Sequence, residues 1–361
     1  MTGTSSSMEH LSVVMTTETV ADVTQTTAAN VTITPPSRGI AFYFQCAVVV
    51  IGVVGMAANA LILYALFASE QRKKLVLIFH QNVLDFVSSF FLVITYSLKL
   101  CDIYLFGLGG YWLCMLILSE NLIWCAIHAS KTNLMVLTIE RYLKVVYPVW
   151  SKKCVGRNVL YSAMAFVWIS AIVHLFVLTF STSVVVDGVC YGYVVWKSRE
   201  YKTAYGIWAF ISFYAIVLMV FIFCYWRILV AIRRQARVMA SHGSTSGQAQ
   251  SHQTQTNVIK TMILVSALFA ITHLPMEVYS QLFSIHPSFT ILEGGYYAVM
   301  FVSFLYICAN PFIYATKFDP VKRVLLGLNP CKKASVLQPV EWVEMNVAGT
   351  APPHRTGQAR K

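Results

Sequence analysis

Charge is what this sequence has least of. Only 12% of its 361 residues are Asp, Glu, Lys or Arg, while 57% are hydrophobic. Soluble globular chains carry about 25% charged residues, so the shortage excludes a solvated globular surface and leaves the membrane as the medium. Acidic side chains are scarcest, 15 against 27 basic ones. A net charge of +12 could draw nucleic acid, but its placement argues otherwise. With the amino-terminal tail set outside, 21 Lys and Arg fall in the inner loops and the segment after 316. Five fall outside (Arg38, Lys99, Lys197, Arg199, Lys202), and one, Lys131, lies within a span. That asymmetry orients the chain by the positive-inside rule, and no nucleic-acid partner is expected.

Other absences narrow the class. The nine cysteines show no Cys-x-x-Cys or Cys/His spacing, so no metal centre is expected. No nucleophile elbow is present, and an enzyme is not expected. No internal repeat is visible, which argues against a transporter. Residues 1–38 lack the basic start and apolar core of a cleavable signal peptide, so the first hydrophobic span is expected to direct insertion.

What is present is a series of long apolar runs. Residues 1–38 are rich in Thr and Ser and are expected to be a disordered outer tail, with Asn30-Val31-Thr32 as a glycosylation sequon. Seven apolar segments follow at about 40–68, 75–98, 113–145, 159–180, 203–231, 258–283 and 293–315. Each is near the roughly 20 residues that cross a bilayer. The polar run at 241–257 is low in complexity and is expected to be mobile. From Phe318 to Leu328, Val321, Leu325 and Leu328 share a face beside Lys322-Arg323, the pattern of a helix lying on the inner membrane surface. Cys331 beyond it is a candidate for palmitoylation, with a plain thiol as the alternative. Residues 184–196 place two β-rich runs around Asp187-Gly188, a hairpin signal. The expected layout is therefore an outer tail (1–38), an all-α seven-helix bundle (39–316), a short amphipathic helix (317–330) and an inner tail (331–361).

Glu140-Arg141-Tyr142 sits at the inner end of the third segment, where charge is costly unless it is paired or working, and Tyr147-Pro148 follows. Asn310-Pro311-Phe312-Ile313-Tyr314 closes the seventh. Asn59, Asp85, Trp168, Tyr225, and Phe269 with Pro275 mark the first, second, fourth, fifth and sixth in turn. In this order the chain resembles the rhodopsin-like G-protein-coupled receptors over roughly residues 40–330. The resemblance implies an activation switch of Glu140, Arg141, Tyr142, Tyr225, Asn310, Pro311 and Tyr314, opened when proline-bent helices move and helix 6 swings outward. It also implies a polar cluster of Asn59, Asp85, Ser130 and Asn310. That cluster often holds sodium in the family, but Tyr306 here replaces the usual helix-7 Asn. A disulfide from Cys190 to the third helix is implied too, with Cys114 the preferred partner and Cys101 the alternative. Cys114 precedes Arg141 by 27 residues, longer than the family spacing, which a local irregularity near Ser119 would absorb.

The departures from the family cluster at the transmission centre of Lys131, Phe269, His273 and Pro275. His273 replaces a Trp, Val217 a Pro, and Lys131 an apolar residue. A polar trigger of His273, Lys131 and Glu277 is one reading, and a His273 that merely bonds a backbone carbonyl is the other. For Lys131 itself, Asp85, Glu277 and His273 are all open as partners. The ligand pocket is expected among Glu120, Ile123, Trp124, Met276, Glu277, Gln281, Tyr297 and Phe301. Ile123 where amine receptors carry Asp, and Phe304 where opsins carry Lys, argue against an amine or retinal. The expected function is a plasma-membrane receptor coupling an outside ligand, a peptide by the hairpin, to a heterotrimeric G protein, with arrestin as a further partner. A small non-amine or lipid ligand is the alternative. Arg233, Arg234, Arg237, Lys152 and Lys153 either meet anionic lipid or the partner, or serve only as topology signals.

Overall fold

Inside a bilayer a chain must close its backbone hydrogen bonds within itself, and helices do this segment by segment. The computed structural model describes residues 38–69, 75–193, 196–242, 246–286, 293–317 and 319–327. Asn30, Phe318 and Cys331, with the residues around them in both tails, lie outside the described residues. Six helices are long and apolar enough to cross a membrane: Gly39–Ala68, Val76–Leu100, Gly107–Val146, Arg199–Met239, Gln255–Ile285 and Gly294–Lys317. A seventh, the fourth in chain order, counts when Arg157–His174 is taken with the helix Pro148–Cys154, from which it is bent by 80°. The spans are numbered first to seventh below.

Their outer faces are apolar because lipid, not water, surrounds them. The fifth span turns Met219, Ile222, Phe223 and Trp226 outward. The polar residues of the bundle point the other way: Asn59, Asp85, Ser130, Asn133 and Asn310 are buried. The third span is central and packs on the second, fourth and fifth. The first fits closely against the second and seventh at Gly55, where an added Cβ would lie 2.5 Å from Ser89 Oγ and 2.7 Å from Cys308 Sγ. Gly55→Val is expected to cost about 1–3 kcal/mol by overpacking, read as a lower unfolding midpoint of the purified protein.

Two spans are not regular. The third contains a π-helical turn, Cys114–Leu118, closed by Ser119 N–H donating to Cys114 O at 2.9 Å. Glu120 then takes a left-handed backbone (φ 63°) before the helix restarts at Asn121. This is the irregularity expected near Ser119, and it absorbs the long spacing between Cys114 and Arg141. The fifth span carries a second π turn, Ile211–Ala215, just before Val217.

Val184–Val186 and Val189–Tyr191 form the expected hairpin, antiparallel with Val185 opposite Cys190. Both turn residues have positive φ, Asp187 at 49° and Gly188 at 77°, as a tight primed turn requires. Gly188 O accepts from Leu105 N–H at 2.9 Å, which fastens the hairpin to the loop after the second span.

Within the polar run at 241–257, the described residues from Ser246 on are helical, an earlier start than the apolar segment at 258–283 predicts. The sixth helix already begins at Ser246 and runs to Ile285. After Gly247 the run has neither Gly nor Pro to stop a helix, so the apolar part winds onward into it. Asp319–Gly327 forms the short amphipathic helix, with Val321 fully buried and Lys322 exposed.

Candidate functional site

The two ends of the bundle differ in chemistry. At the end opposite the disulfide, Arg141 Nε lies 3.1 Å from Glu140 Oε2, but neither atom makes an aligned hydrogen bond. Neighbouring residues on a helix face apart, so the contact is charge against charge. Lys144, one turn on, holds the other oxygen, Oε1. That i,i+4 pair was legible in Glu140-x-x-x-Lys144, though sequence reasoning passed over it. Tyr142 packs on Phe223 at 5.7 Å between ring centroids. The Tyr225 hydroxyl lies 2.8 Å from Ser266 Oγ and 3.0 Å from Thr138 Oγ1, and donates to Met262 O at 3.3 Å. It therefore ties the third, fifth and sixth spans together. Tyr314 is buried, and its hydroxyl has no hydrogen-bond partner among the described residues. Here neither tyrosine meets Arg141.

Midway along the bundle, Asp85 is fully buried and accepts three hydrogen bonds. Ser130 Oγ (2.6 Å) and Gln81 Nε2 (3.1 Å) donate to Oδ1, and Asn310 Nδ2 (2.9 Å) donates to Oδ2. Asn59 belongs to the neighbourhood but bonds elsewhere, donating to Gly55 O at 2.9 Å and Ile307 O at 3.4 Å. The network extends further than the sequence disclosed. Asn133 donates to Gln81 Oε1 (2.8 Å) and Leu77 O (3.1 Å), so its own Oδ1 accepts from His80 Nδ1 at 2.9 Å. That fixes the proton on His80 Nδ1 and leaves Nε2 to accept from Trp168 Nε1 at 3.0 Å. One string of bonds thus runs from the fourth span through the second and third to the seventh. The spacing of Gln81 to Asp85 and of Ser130 to Asn133 was its sequence signal.

Above Asp85 lies the Lys131 tier. Lys131 Nζ is 3.3 Å from Glu277 Oε1 and 5.7 Å from the Phe269 ring centre. Of the partners left open, the structure brings Glu277 to Lys131. Neither His273 nor Asp85 bonds it. His273 Nδ1 lies 3.2 Å from Phe269 O, the plainer of its two expected contacts, and its Nε2 is buried with no partner among the described residues. Two histidines missed from sequence stand nearby. His128 and His174 stack with ring centres 5.1 Å apart, and each leaves Nδ1 unpartnered among the described residues.

At the disulfide end the expected pocket residues divide. Cys114 and Cys190 are bonded. Glu120 is turned to the second span, accepting from Tyr96 Oη at 2.8 Å and paired with Lys99. Gln281 donates to Gly206 O at 2.7 Å, and Tyr297 stacks on Phe44 at 4.6 Å. Ile123 is fully buried, Trp124 tilts against Phe304, and Met276 and Phe301 are half-buried. Tyr193 donates to Asn121 Oδ1 at 3.1 Å, and burial pushes its phenol well above the usual range.

A seven-helix bundle with Pro275 and Pro311 inside its sixth and seventh spans, an Arg at one end and a disulfide-tied hairpin at the other is the architecture of a membrane receptor. Residues 58–314 match the profile of the 7 transmembrane receptor (rhodopsin family). The chain belongs to that family: it is a multi-pass plasma-membrane G-protein-coupled receptor, not an enzyme. Among its relatives are the somatostatin receptor type 5 of Rattus norvegicus, 24% identical over 74% of this chain and 72% of the relative. The gonadotropin-releasing hormone II receptor of Clarias gariepinus is 25% identical over 65% and 62%. The neuropeptide Y receptor type 4-2 of Homo sapiens is 23% identical over 62% and 63%.

Proposed function

We propose that this receptor binds a peptide at its disulfide end, which faces outside with the amino terminus, and drives nucleotide exchange on a heterotrimeric G protein at the Arg141 end. The observation that carries the mechanism is the Tyr225 hydroxyl, which clasps Ser266 of the sixth span to Thr138 of the third. Pro275 removes one backbone hydrogen bond inside the sixth span and gives it a pivot, which can carry the inner half outward only when that clasp opens. Arg141, Tyr225 and Tyr314 then line the cavity that takes the partner's helix, and arrestin would use the same cavity. A ligand shifts this equilibrium by binding the open form more tightly. The peptide class is supported by the relatives named above and by the hairpin in the second outer loop, a form typical of peptide receptors in this family.

The Asp85 cluster also holds oxygens a sodium ion would use: the carboxylate, Ser130 Oγ and Asn310 Oδ1, the last without a well-aligned hydrogen bond among the described residues. Lys131 pairs with Glu277 rather than Asp85, which supports this reading, whereas Tyr306 in place of the usual Asn speaks against it.

A peptide library screened against a panel of G-protein activation sensors tests the function. At least one peptide pool is expected to activate the wild type, and Arg141→Ala should silence that response at equal surface expression. Activation by lipids alone would overturn the peptide class and leave the receptor.

A further inference from the structure

We infer that Glu277 is the carboxylate that recognises a cationic group of the ligand, an ammonium or guanidinium, and that Lys131 occupies it in the resting receptor as a built-in substitute. The inference deepens the reading just given and rests on it. Lys131 and Glu277 join the third span to the sixth with side chains only 8% and 15% exposed. Phe269, His273 and Glu277 follow one another on successive turns of the sixth span, with Glu277 nearest the disulfide end. A ligand entering there meets Glu277 before Lys131. The other acidic pocket candidate, Glu120, is already held by Tyr96 and Lys99. The 3.3 Å contact is longer than the roughly 2.7–2.9 Å of a well-made charge-assisted hydrogen bond. A better-placed cation can therefore replace it.

Displacing Lys131 would strand an ammonium in the bilayer interior, which is costly without a new partner. The structure supplies one. His273 Nδ1 lies 3.2 Å from both the Phe269 carbonyl and Thr272 Oγ1; the Thr272 hydroxyl spends its proton on Leu268 O at 2.9 Å, so both neighbours accept and Nδ1 carries the proton. In the neutral ring Nε2 is then a bare acceptor, buried and unpartnered among the described residues. His128 and His174, whose rings stack with centres 5.1 Å apart, each add an Nδ1 that is unpartnered among the described residues. Lys131 rests on Glu277, and a Lys131 released from it would take its second seat on these histidines. Exchange between the two seats loosens the third span from the sixth beside Phe269, whose ring also meets Phe221, Tyr214 and Tyr306.

The test begins without ligand. Glu277→Gln and Lys131→Met should each raise basal nucleotide exchange per surface receptor by roughly 5-fold or more, the low end of allosteric couplings. Lys131→Glu combined with Glu277→Lys should return it to the wild-type level. Lower surface expression with unchanged exchange per receptor would mean a merely structural pair and overturn the proposal. The ligand arm uses peptide pools with a fixed Lys against the same pools acetylated at that Lys. Activation should vanish on acetylation and in Glu277→Gln, and activation indifferent to acetylation overturns the assignment. Silence of every pool rejects the peptide reading instead. In that event n-butylammonium and butylguanidinium at millimolar concentration must still activate the wild type and not Glu277→Gln, or the cation assignment falls as well.

Discussion

Replacing Cys190 with Ala is expected to remove most correctly folded receptor from the cell surface and to lower the unfolding midpoint of what remains. Cys114 and Cys190 close a loop with a sequence separation of 76 residues, and removing such a link costs about 2–5 kcal/mol in small secreted domains. The local structure raises the stake. Cys114 opens the π turn, Ser119 Oγ lies 3.5 Å from Cys190 Sγ, and Cys190 sits in the strand that Gly188 anchors to the preceding loop. Cys114→Ala should reproduce the defect, and the double variant should be no worse than either single. Cys101→Ala, at an exposed free thiol, should leave surface expression and midpoint unchanged. A defect in Cys101→Ala equal to that of Cys190→Ala would mean the pairing is wrong.

Asp85→Ala is expected to be the most destabilising substitution in the membrane interior. It strands three donors, Ser130, Gln81 and Asn310, in a place no water reaches readily. Each buried group left unsatisfied costs about 1–3 kcal/mol, so the loss is several kcal/mol, partly offset by relaxation. Asp85→Asn keeps the shape and one acceptor oxygen, and should lose less. In a double-mutant cycle, Asp85 and Asn310 should show a coupling of about 0.5–3 kcal/mol, whereas Asp85 and Asn59, which do not bond each other, should be close to additive. Thermal unfolding of the purified receptor gives the numbers. A cycle with no coupling to Asn310 would remove that bond from the account.

Much of this arrangement could be read from residue order alone, because the bilayer enforces long apolar runs and leaves polar groups conspicuous among them. Asp85, Asn310 and Arg141 stood out for that reason. The hairpin was legible because Asp187-Gly188 needs a backbone that few other pairs accept. Three-dimensional partners were harder to see. Lys131 had several carboxylates and a histidine within reach, and only the relative rotation of the third and sixth spans selects Glu277. Lys99 was counted as an outer-loop charge, yet the restart of the third helix at Asn121 turns Glu120 back toward it. His80 and Asn133 read as isolated polar residues until the second, third and fourth spans are packed side by side. The early start of the sixth helix was missed because a polar, low-complexity stretch was read as a break between spans, although after Gly247 it holds neither Gly nor Pro.

The ion pair at Glu140 has a consequence for how quietly the receptor idles. Its carboxylate is shared by Arg141 and Lys144, one cation on each oxygen. Were Arg141 to swing off toward a partner, as proposed above, Lys144 would stay behind and no bare anion would be abandoned at the membrane edge. The departure is cheaper by whatever Lys144 retains, at most about 1 kcal/mol for a half-exposed lysine. A tether with a spare knot holds its load less firmly at rest, so Lys144→Met is expected to lower nucleotide exchange measured without stimulus.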